Sequence, residues 1–328
     1  MASTDLADLS AGVWGVAVVA ACAELGIVER LGEPIGAEAL AAGVGVSPQL
    51  AERLLDTLAA LGLAERRRDL YVATRALAER SPAMLAADGT ATLLQAADLV
   101  RRAAAGELSE DGWRHTDPAV LQAQGTMSAG AVGFLERSVF PHAPGIPERL
   151  TSGATFLDVG AGVAAVSIEL CRRFPHLRCV GLEPAEAPLA LARANVAAAG
   201  LEERLELRQL LVQDLDDVDA FDIAWLPLNF LPTSVFPVAL ERVRRALRPG
   251  GLLLLATLGG GGGDLRAAAA RLRSALWGGD ALPPERVATL LEAAGYTDVA
   301  VLDRMPSSLV PLTARRPLSG GGRYARDM

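Results

Sequence analysis

The chain has 328 residues, 51% of them apolar and only 4% aromatic, with a formal net charge of −8. All 31 basic residues are arginine, because the sequence holds no lysine. That acidic balance gives no support to a nucleic-acid or anionic-membrane partner, and the length predicts two domains with cores built mainly of Ala, Leu and Val.

Cys22, Cys171 and Cys179 lie in apolar patterns and form no C-x-x-C pair. They read as reduced core residues, and no metal site is expected. No charged n-region followed by an apolar stretch and a cleavage site opens the sequence. Ala11 to Ala23 is too short to span a bilayer and contains glycines, so no membrane partner and a cytoplasmic location are expected.

In chain order, Gly12 to Leu31 has a helical pattern, and Ile35 to Ala42 predicts a second, short helix. Gly43-Val-Gly-Val-Ser-Pro48 predicts a turn in which Ser47 caps the next helix and Pro48 takes its first position. That helix runs to Leu61 and stops at Gly62. Leu63 to Thr74 alternates around a polar tip and predicts a two-stranded wing. The set is a winged-helix arrangement. A DNA-binding regulator is the first idea it raises, but the second helix of the motif carries Glu52, Arg53 and Asp56 among leucines and alanines. A helix that reads base edges needs several donors on one face and basic flanks. Val13 to Leu25 is apolar on most faces and needs cover, which a second subunit would supply. Further helices are expected over Ala83–Ala105, from Pro118, and over Gly125–Val139. Three prolines within Phe140 to Pro147 mark the approach to a new domain.

From residue 151 strands and helices alternate, which predicts a parallel sheet with helices on both faces. The expected strands end at Asp158, Leu182, Leu211, Leu226 and Ala256, with two more over Asp298–Leu302 and Leu309–Ala314. Ser234–Leu247 reads as a helix, Arg248-Pro-Gly-Gly251 as a turn, and Asp264–Leu276 and Pro284–Ala294 as helices. Gly259 to Gly263 is expected to be a flexible loop and Ser319 to Met328 a mobile tail.

The stretch Phe156-Leu-Asp-Val-Gly-Ala-Gly162 reads as strand, glycine turn and helix start. Glycine lets a ligand approach the backbone, and the helix behind offers free N–H groups. Asp158, Glu183 and Asp214 follow three successive strands, where open parallel sheets bind ligands. Each alone is more simply a turn or helix cap. Together with the glycine turn they fit one ligand bearing an ammonium, a ribose and a purine, with Glu183 on both ribose hydroxyls. Gly160-Ala-Gly-Val-Ala-Ala165 also matches a dinucleotide fingerprint, so a nicotinamide oxidoreductase is an alternative. Asp158 opposes it, since a carboxylate beside a pyrophosphate is electrostatically poor. S-adenosyl-L-methionine carries an ammonium and a sulfonium and no phosphate, so the acids favour it.

Phe156 to Gly162, Val180-Gly-Leu-Glu183, Asp214 and Leu247-Arg-Pro-Gly-Gly251 resemble the ordered motifs of class I S-adenosylmethionine-dependent methyltransferases. With the winged-helix start, the chain resembles bacterial secondary-metabolite O-methyltransferases over about residues 10 to 316. The resemblance implies a Rossmann-like sheet, mostly parallel with an antiparallel last strand. It also implies a homodimer paired through the N-terminal module, and S-adenosyl-L-methionine converted to S-adenosyl-L-homocysteine. It divides the chain into residues 1–80 (winged-helix dimerisation), 81–150 (helical, contributing to the substrate pocket), 151–317 (cofactor binding) and 318–328 (tail). By it, Asp158, Gly160 and Gly162 hold the methionine part, Glu183 the ribose, and Asp214 with Leu215 the adenine edge, with Ala161, Pro184 and Pro227 also among the cofactor-binding residues. Trp113, Met127, Phe134, Phe140 and Asn229 are candidates for lining the pocket of a small-molecule or short-peptide acceptor.

Two departures stand out. Ala164 replaces the third loop glycine. Pro232 and Thr233 stand where the family has a histidine that deprotonates the acceptor, and neither is a base near neutral pH. Three outcomes follow: an acceptor that is already anionic, such as a carboxylate or acidic phenol; a base from elsewhere, with His142 ahead of His115 and His176; or a non-methylating reaction such as cyclisation or decarboxylation.

Overall fold

The computed structural model describes residues 5–108, 112–258, 264–302 and 309–318, without the side chain of Leu258. The five-glycine stretch and the tail from Ser319 lie outside the described residues. The chain divides into two compact units, residues 1–108 with 122–127, and residues 109–121 with 128–328.

The first unit opens with α1 (Leu6–Glu24), capped by the Asp5 carboxylate, which accepts the Ala7 N–H at 2.9 Å. α2 (Ile27–Arg30) follows the left-handed Gly26. Ile35 begins a two-residue strand, β1 (Ile35–Gly36), where a helix start is expected from sequence. Its backbone pairs with Tyr71 and Leu70, so sheet bonding overrides the local pattern and helix α3 (Ala37–Val44) starts two residues later. α4 (Pro48–Ala60) has the expected Ser47 cap, whose hydroxyl accepts the Leu50 N–H at 3.2 Å. β2 (Ala64–Arg67) and β3 (Leu70–Ala73) form the wing as an antiparallel pair. Arg66 bonds Asp56 at 3.1 Å and Arg67 bonds Glu65 at 2.8 Å, so two of the three wing arginines are held by acids of their own unit. α5 (Arg75–Ala78) and α6 (Pro82–Ala105) complete the unit around Ile27, Leu31, Leu40, Leu55, Leu58 and Tyr71.

α1 lies against α6 so closely that a Cβ on Gly89 would meet Ala20 Cβ at 2.6 Å. Its other face is open: Leu6 is 79% and Trp14 71% exposed, and Leu9 and Val13 are exposed too. The helix is longer than the apolar stretch read from sequence. At 19 residues it is long and apolar enough to cross a membrane by length and composition, and 22% of its apolar window is buried.

α7 (Pro118–Phe134) and the π-helical turn Leu135–Val139 are continuous, where two helices are expected from sequence. Asp117 caps the start, accepting the Ala119 N–H at 2.8 Å, and the helical bonding carries through Gly125. A 3₁₀ turn (Phe140–His142) and α8 (Ile146–Ser152) lead to β4 (Thr155–Val159), α9 (Ala165–Arg173), β5 (Arg178–Leu182), α10 (Glu186–Ala199) and β6 (Leu205–Arg208). Then come β7 (Phe221–Pro227), α11 (Phe236–Ala246), β8 (Leu247–Leu258), α12 (Leu265–Leu276), α13 (Pro284–Ala293), β9 (Thr297–Val301) and β10 (Leu309–Arg315).

The seven strands lie in the order β6-β5-β4-β7-β8-β10-β9, parallel except for β10, which runs antiparallel to both neighbours. One apolar cluster around Phe156, Ile168, Leu170 and Trp225 covers one face, and another around Leu157, Leu182, Leu226 and Leu240 covers the other. Arg248-Pro-Gly-Gly251, read from sequence as a turn, is a bulge inside β8. Leu247 pairs with Phe221 and Leu252 with Ile223, and Gly250 takes φ +75°. The bulge persists because Gly250 N–H and the Gly251 carbonyl bond Arg316 at 2.9 and 3.0 Å.

The amino edge of the sheet is closed by ions. The buried Asp222 carboxylate accepts from the Thr155 N–H at 2.8 Å and Arg149 at 2.6 Å, and from Arg248. Strand order reverses between β4 and β7, so the carboxyl edge there is the switch-point crevice where such sheets bind ligands.

Candidate functional site

The glycine turn caps the carboxyl end of β4. Gly160 has φ +70° and Gly162 φ +57°. A Cβ at either would meet nothing within 4 Å, so the turn's outer side is a bare backbone cradle. Ala164 takes φ +63°, the left-handed conformation that a third glycine would adopt freely, and its side chain is fully buried. A non-glycine residue there costs about 1–2 kcal/mol, and the closing of the turn (Ala164 N–H to Ala161 carbonyl, 2.8 Å) helps hold it.

The turn is tied to the neighbouring strand. Ala161 N–H donates to the Leu182 carbonyl at 2.9 Å. This brings Ala161 Cβ within 2.9 Å of where a Cβ on Gly181 would lie, so Gly181 makes room for the loop. Gly162 N–H donates to one Glu183 carboxylate oxygen at 3.0 Å, and Ala185 N–H to the other at 2.9 Å. Asp158 is 2% exposed and accepts the Ser167 hydroxyl of α9 at 2.7 Å. From α10, Asn195 donates to the Val163 carbonyl at 3.0 Å.

Burial pushes the Asp158 carboxyl up to about 6, and the nearby Glu183 charge adds to it against the Ser167 hydrogen bond. Burial likewise raises Glu183, opposed by the Ala185 and Gly162 N–H groups. Two buried acids side by side, neither ion-paired with a cation among the described residues, form a site that gains from a bound positive charge. That charge balance and the open cradle fit a ligand with an ammonium and a sulfonium, and fit a pyrophosphate poorly.

The structure therefore brings Asp158, Gly160, Ala161, Gly162 and Glu183 together. Pro184 follows Glu183 and is exposed. Asp214 ends the 3₁₀ turn Val212–Asp214 beyond β6, with its side chain exposed, whereas the Leu215 side chain is fully buried in the core. Pro227 is the last residue of β7, half-buried and level with Ala256. Ser167, Gly181 and Asn195 escape the sequence reading because their roles depend on which turn of a helix faces which strand.

His142 is not brought to this cluster. Two residues on, the Pro144 carbonyl accepts from Arg315 at 2.9 Å, and Arg315 pairs with Leu252, which is level with Ile223 in the amino-terminal half of β7. Phe140 packs on Phe174, past the end of α9, at 6.0 Å. The His142 segment thus sits at the sheet edge opposite the glycine turn. Phe134 and Phe140 pack with the core. Met127 belongs to the first unit.

Trp113 has a different setting. Its ring lies 5.3 Å from Phe230, 6.0 Å from Trp277 and 4.5 Å from His115, and Phe230 stacks on Trp277 at 4.9 Å. Asn229 beside them is 3% exposed. Pro232 is half-buried and Thr233 exposed in the segment after β7.

This fold is that of class I methyltransferases, and residues 156–251 match the model of a methyltransferase domain. Residues 7–80 match that of an O-methyltransferase dimerisation domain. Over these two segments the chain is similar to S-adenosylmethionine-dependent methyltransferases, bacterial secondary-metabolite O-methyltransferases among them. It is 30% identical to a 3-hydroxy-5-methyl-1-naphthoate 3-O-methyltransferase of Streptomyces sahachiroi over 62% of this chain and 61% of that one. It is 27% identical to the tetracenomycin polyketide synthesis 8-O-methyltransferase of Streptomyces glaucescens over 90% and 91%. The structure of human N-acetylserotonin methyltransferase in complex with S-adenosylmethionine shares the fold with a TM-score of 0.63 at 21% identity, covering 97% of this chain and 99% of that one. Several curated relatives are matched over less of their length, between 38% and 61%.

Proposed function

We propose that the protein transfers the methyl group of S-adenosyl-L-methionine to an oxygen nucleophile of a small molecule. The observation that carries this reading is the pair of buried acids, Asp158 and Glu183, raised by burial at the rim of a glycine turn. Asp158 and the Gly160–Gly162 backbone would hold the methionine part. Glu183, with Pro184 beside it, would take the ribose hydroxyls, each carboxylate oxygen keeping a lone pair beyond its N–H partner. Asp214, the Leu215 backbone and Pro227 would frame the adenine.

A hydroxyarene acceptor agrees with the activity for which the naphthoate relative is named and with the aromatic group of Trp113, Phe230 and Trp277, beside which Asn229 lies. An acidic phenol or a carboxylate reacts as an anion, and positioning alone supplies about 7–11 kcal/mol of the barrier. Homodimerisation is proposed through the exposed α1 face, inside the segment that matches the dimerisation domain. The division at residues 80, 150 and 317 is proposed with it.

Residues 227–240 carry no titratable side chain, which favours, as a second reading, a non-methylating reaction on the same cofactor site. Calorimetry with S-adenosylhomocysteine, S-adenosylmethionine and NAD tests the cofactor. Mass spectrometry of hydroxynaphthoates incubated with enzyme and S-adenosylmethionine tests the transfer. Binding of both sulfur ligands is expected; folded protein that binds neither sinks the reading.

A further inference from the structure

Methyl transfer to a neutral hydroxyl releases a proton, and catalysis gains when a positioned group takes it. Within the described residues the structure brings one histidine to the carboxyl edge of the sheet. Trp225 of β7 is level with Asp158 of β4. Phe230 comes five residues later, beyond the strand end, on the same edge as the glycine turn. Phe230 stacks on Trp277 at an interplanar angle of 16°, Trp113 meets both edge-on, and the half-buried His115 lies 4.5 Å from Trp113.

Two glycines fix this arrangement through the backbone. A Cβ on Gly278 would strike Gly112 Cα at 2.2 Å, and one on Gly279 would strike the Asn229 backbone at 2.4 Å. The segment bearing His115 and the turn after β7 are thus packed onto one Gly-Gly step. Among the described residues, Arg114 and Asp117 are charged groups on the segment of His115, and Arg273 and Asp280 on the facing one. Asp117 is engaged in capping α7, and Arg273 lies 5.6 Å over Trp277.

We propose that His115 is the proton acceptor for a hydroxyl on a planar aromatic acceptor held beside Trp113 and Phe230. The inference rests on the methyl-transfer reading above and extends it from acceptors that are already ionised to neutral phenols. The acceptor oxygen forms its bond to the methyl carbon as the carbon–sulfur bond breaks, its electron pair remaining on sulfur. The hydroxyl proton passes to a ring nitrogen of His115, which returns it to solvent.

The test, run at about pH 8, compares wild type and His115→Gln on 2-naphthol, still neutral there, and on 4-nitrophenol, largely ionised there. S-adenosylhomocysteine affinity is measured alongside. The expected result is a loss of about 100-fold in kcat on 2-naphthol, recovering as pH rises toward that of the free phenolate. On 4-nitrophenol the loss is about tenfold or smaller, with cofactor affinity unchanged. An equal loss on both probes, or turnover of 2-naphthol within about threefold of wild type, overturns the role of His115 and leaves the methyl-transfer reading standing. Wild-type protein that binds S-adenosylhomocysteine yet methylates neither phenol overturns the aromatic-hydroxyl acceptor and His115 with it. Protein that binds no S-adenosylhomocysteine overturns the methyl-transfer reading itself.

Discussion

The Glu183 carboxylate accepts the Gly162 N–H at 3.0 Å, joining the end of one strand to the glycine turn after its neighbour. The same carboxylate holds the Ala185 N–H at the entry to α10. One side chain therefore shapes the loop and faces the site that the loop frames.

Replacing Glu183 with Ala is expected to weaken S-adenosylhomocysteine binding roughly 10- to 100-fold, since hydrogen bonds to a charged group contribute about 1.5–3 kcal/mol. Isothermal calorimetry reads this directly. Unchanged affinity would contradict both the ribose role and the loop-shaping role.

Asp158 sets a pH dependence whose sign differs for stability and for binding. Its folded value of about 6 lies above the ordinary 3.8. The ionised form therefore costs stability above pH 6, and that cost is relieved as pH falls through about 6 toward 3.8. Asp158→Asn is expected to raise the Tm of the ligand-free protein at neutral pH by removing a penalty on the order of 3 kcal/mol. A ligand ammonium needs the carboxylate, so S-adenosylhomocysteine affinity should fall as pH drops below about 6 in wild type, while the Asn variant binds weakly throughout. A variant with lower Tm and full affinity would refute the assignment.

Gly181→Ala is expected to push Ala161 and the loop outward, because its Cβ would lie 2.9 Å from Ala161 Cβ and 3.0 Å from a Leu207 methyl. Overpacking of this kind costs about 1–3 kcal/mol. Denaturant melts should show that loss, and calorimetry a weaker cofactor affinity. Wild-type behaviour in both would mean that the loop does not sit where it is described.

On α1, Trp14→Arg places a charge on a face that the proposed dimer buries. Light scattering after gel filtration is expected to show the wild type at twice the chain mass and the variant at the chain mass. A monomeric wild type removes the proposed interface.

Asp158 and Glu183 were legible in the sequence because both end apolar runs, and strand ends in a parallel sheet converge on one edge. The cap at Ser47 was legible because it is local. Ile35 reads as a helix start because its partner Tyr71 lies on the far side of two helices. Arg248-Pro-Gly-Gly251 has turn chemistry, yet the Arg316 backbone draws it into a bulged strand. Where the histidines lie was not legible for the same reason. His142 is close to β4 along the chain, but α8 enters from the amino edge, whereas His115 reaches the carboxyl edge through contacts with Phe230 and Trp277 that no local pattern encodes.

The loop that Glu183 holds has a kinetic meaning. Gly162 and Ala185 are already bonded to that carboxylate, and Ser167 already aims Asp158. An arriving ligand meets a receptor that has no ordering left to do at this end. Association should then be a single bimolecular step governed by encounter, and discrimination among ligands should reside in how fast they leave.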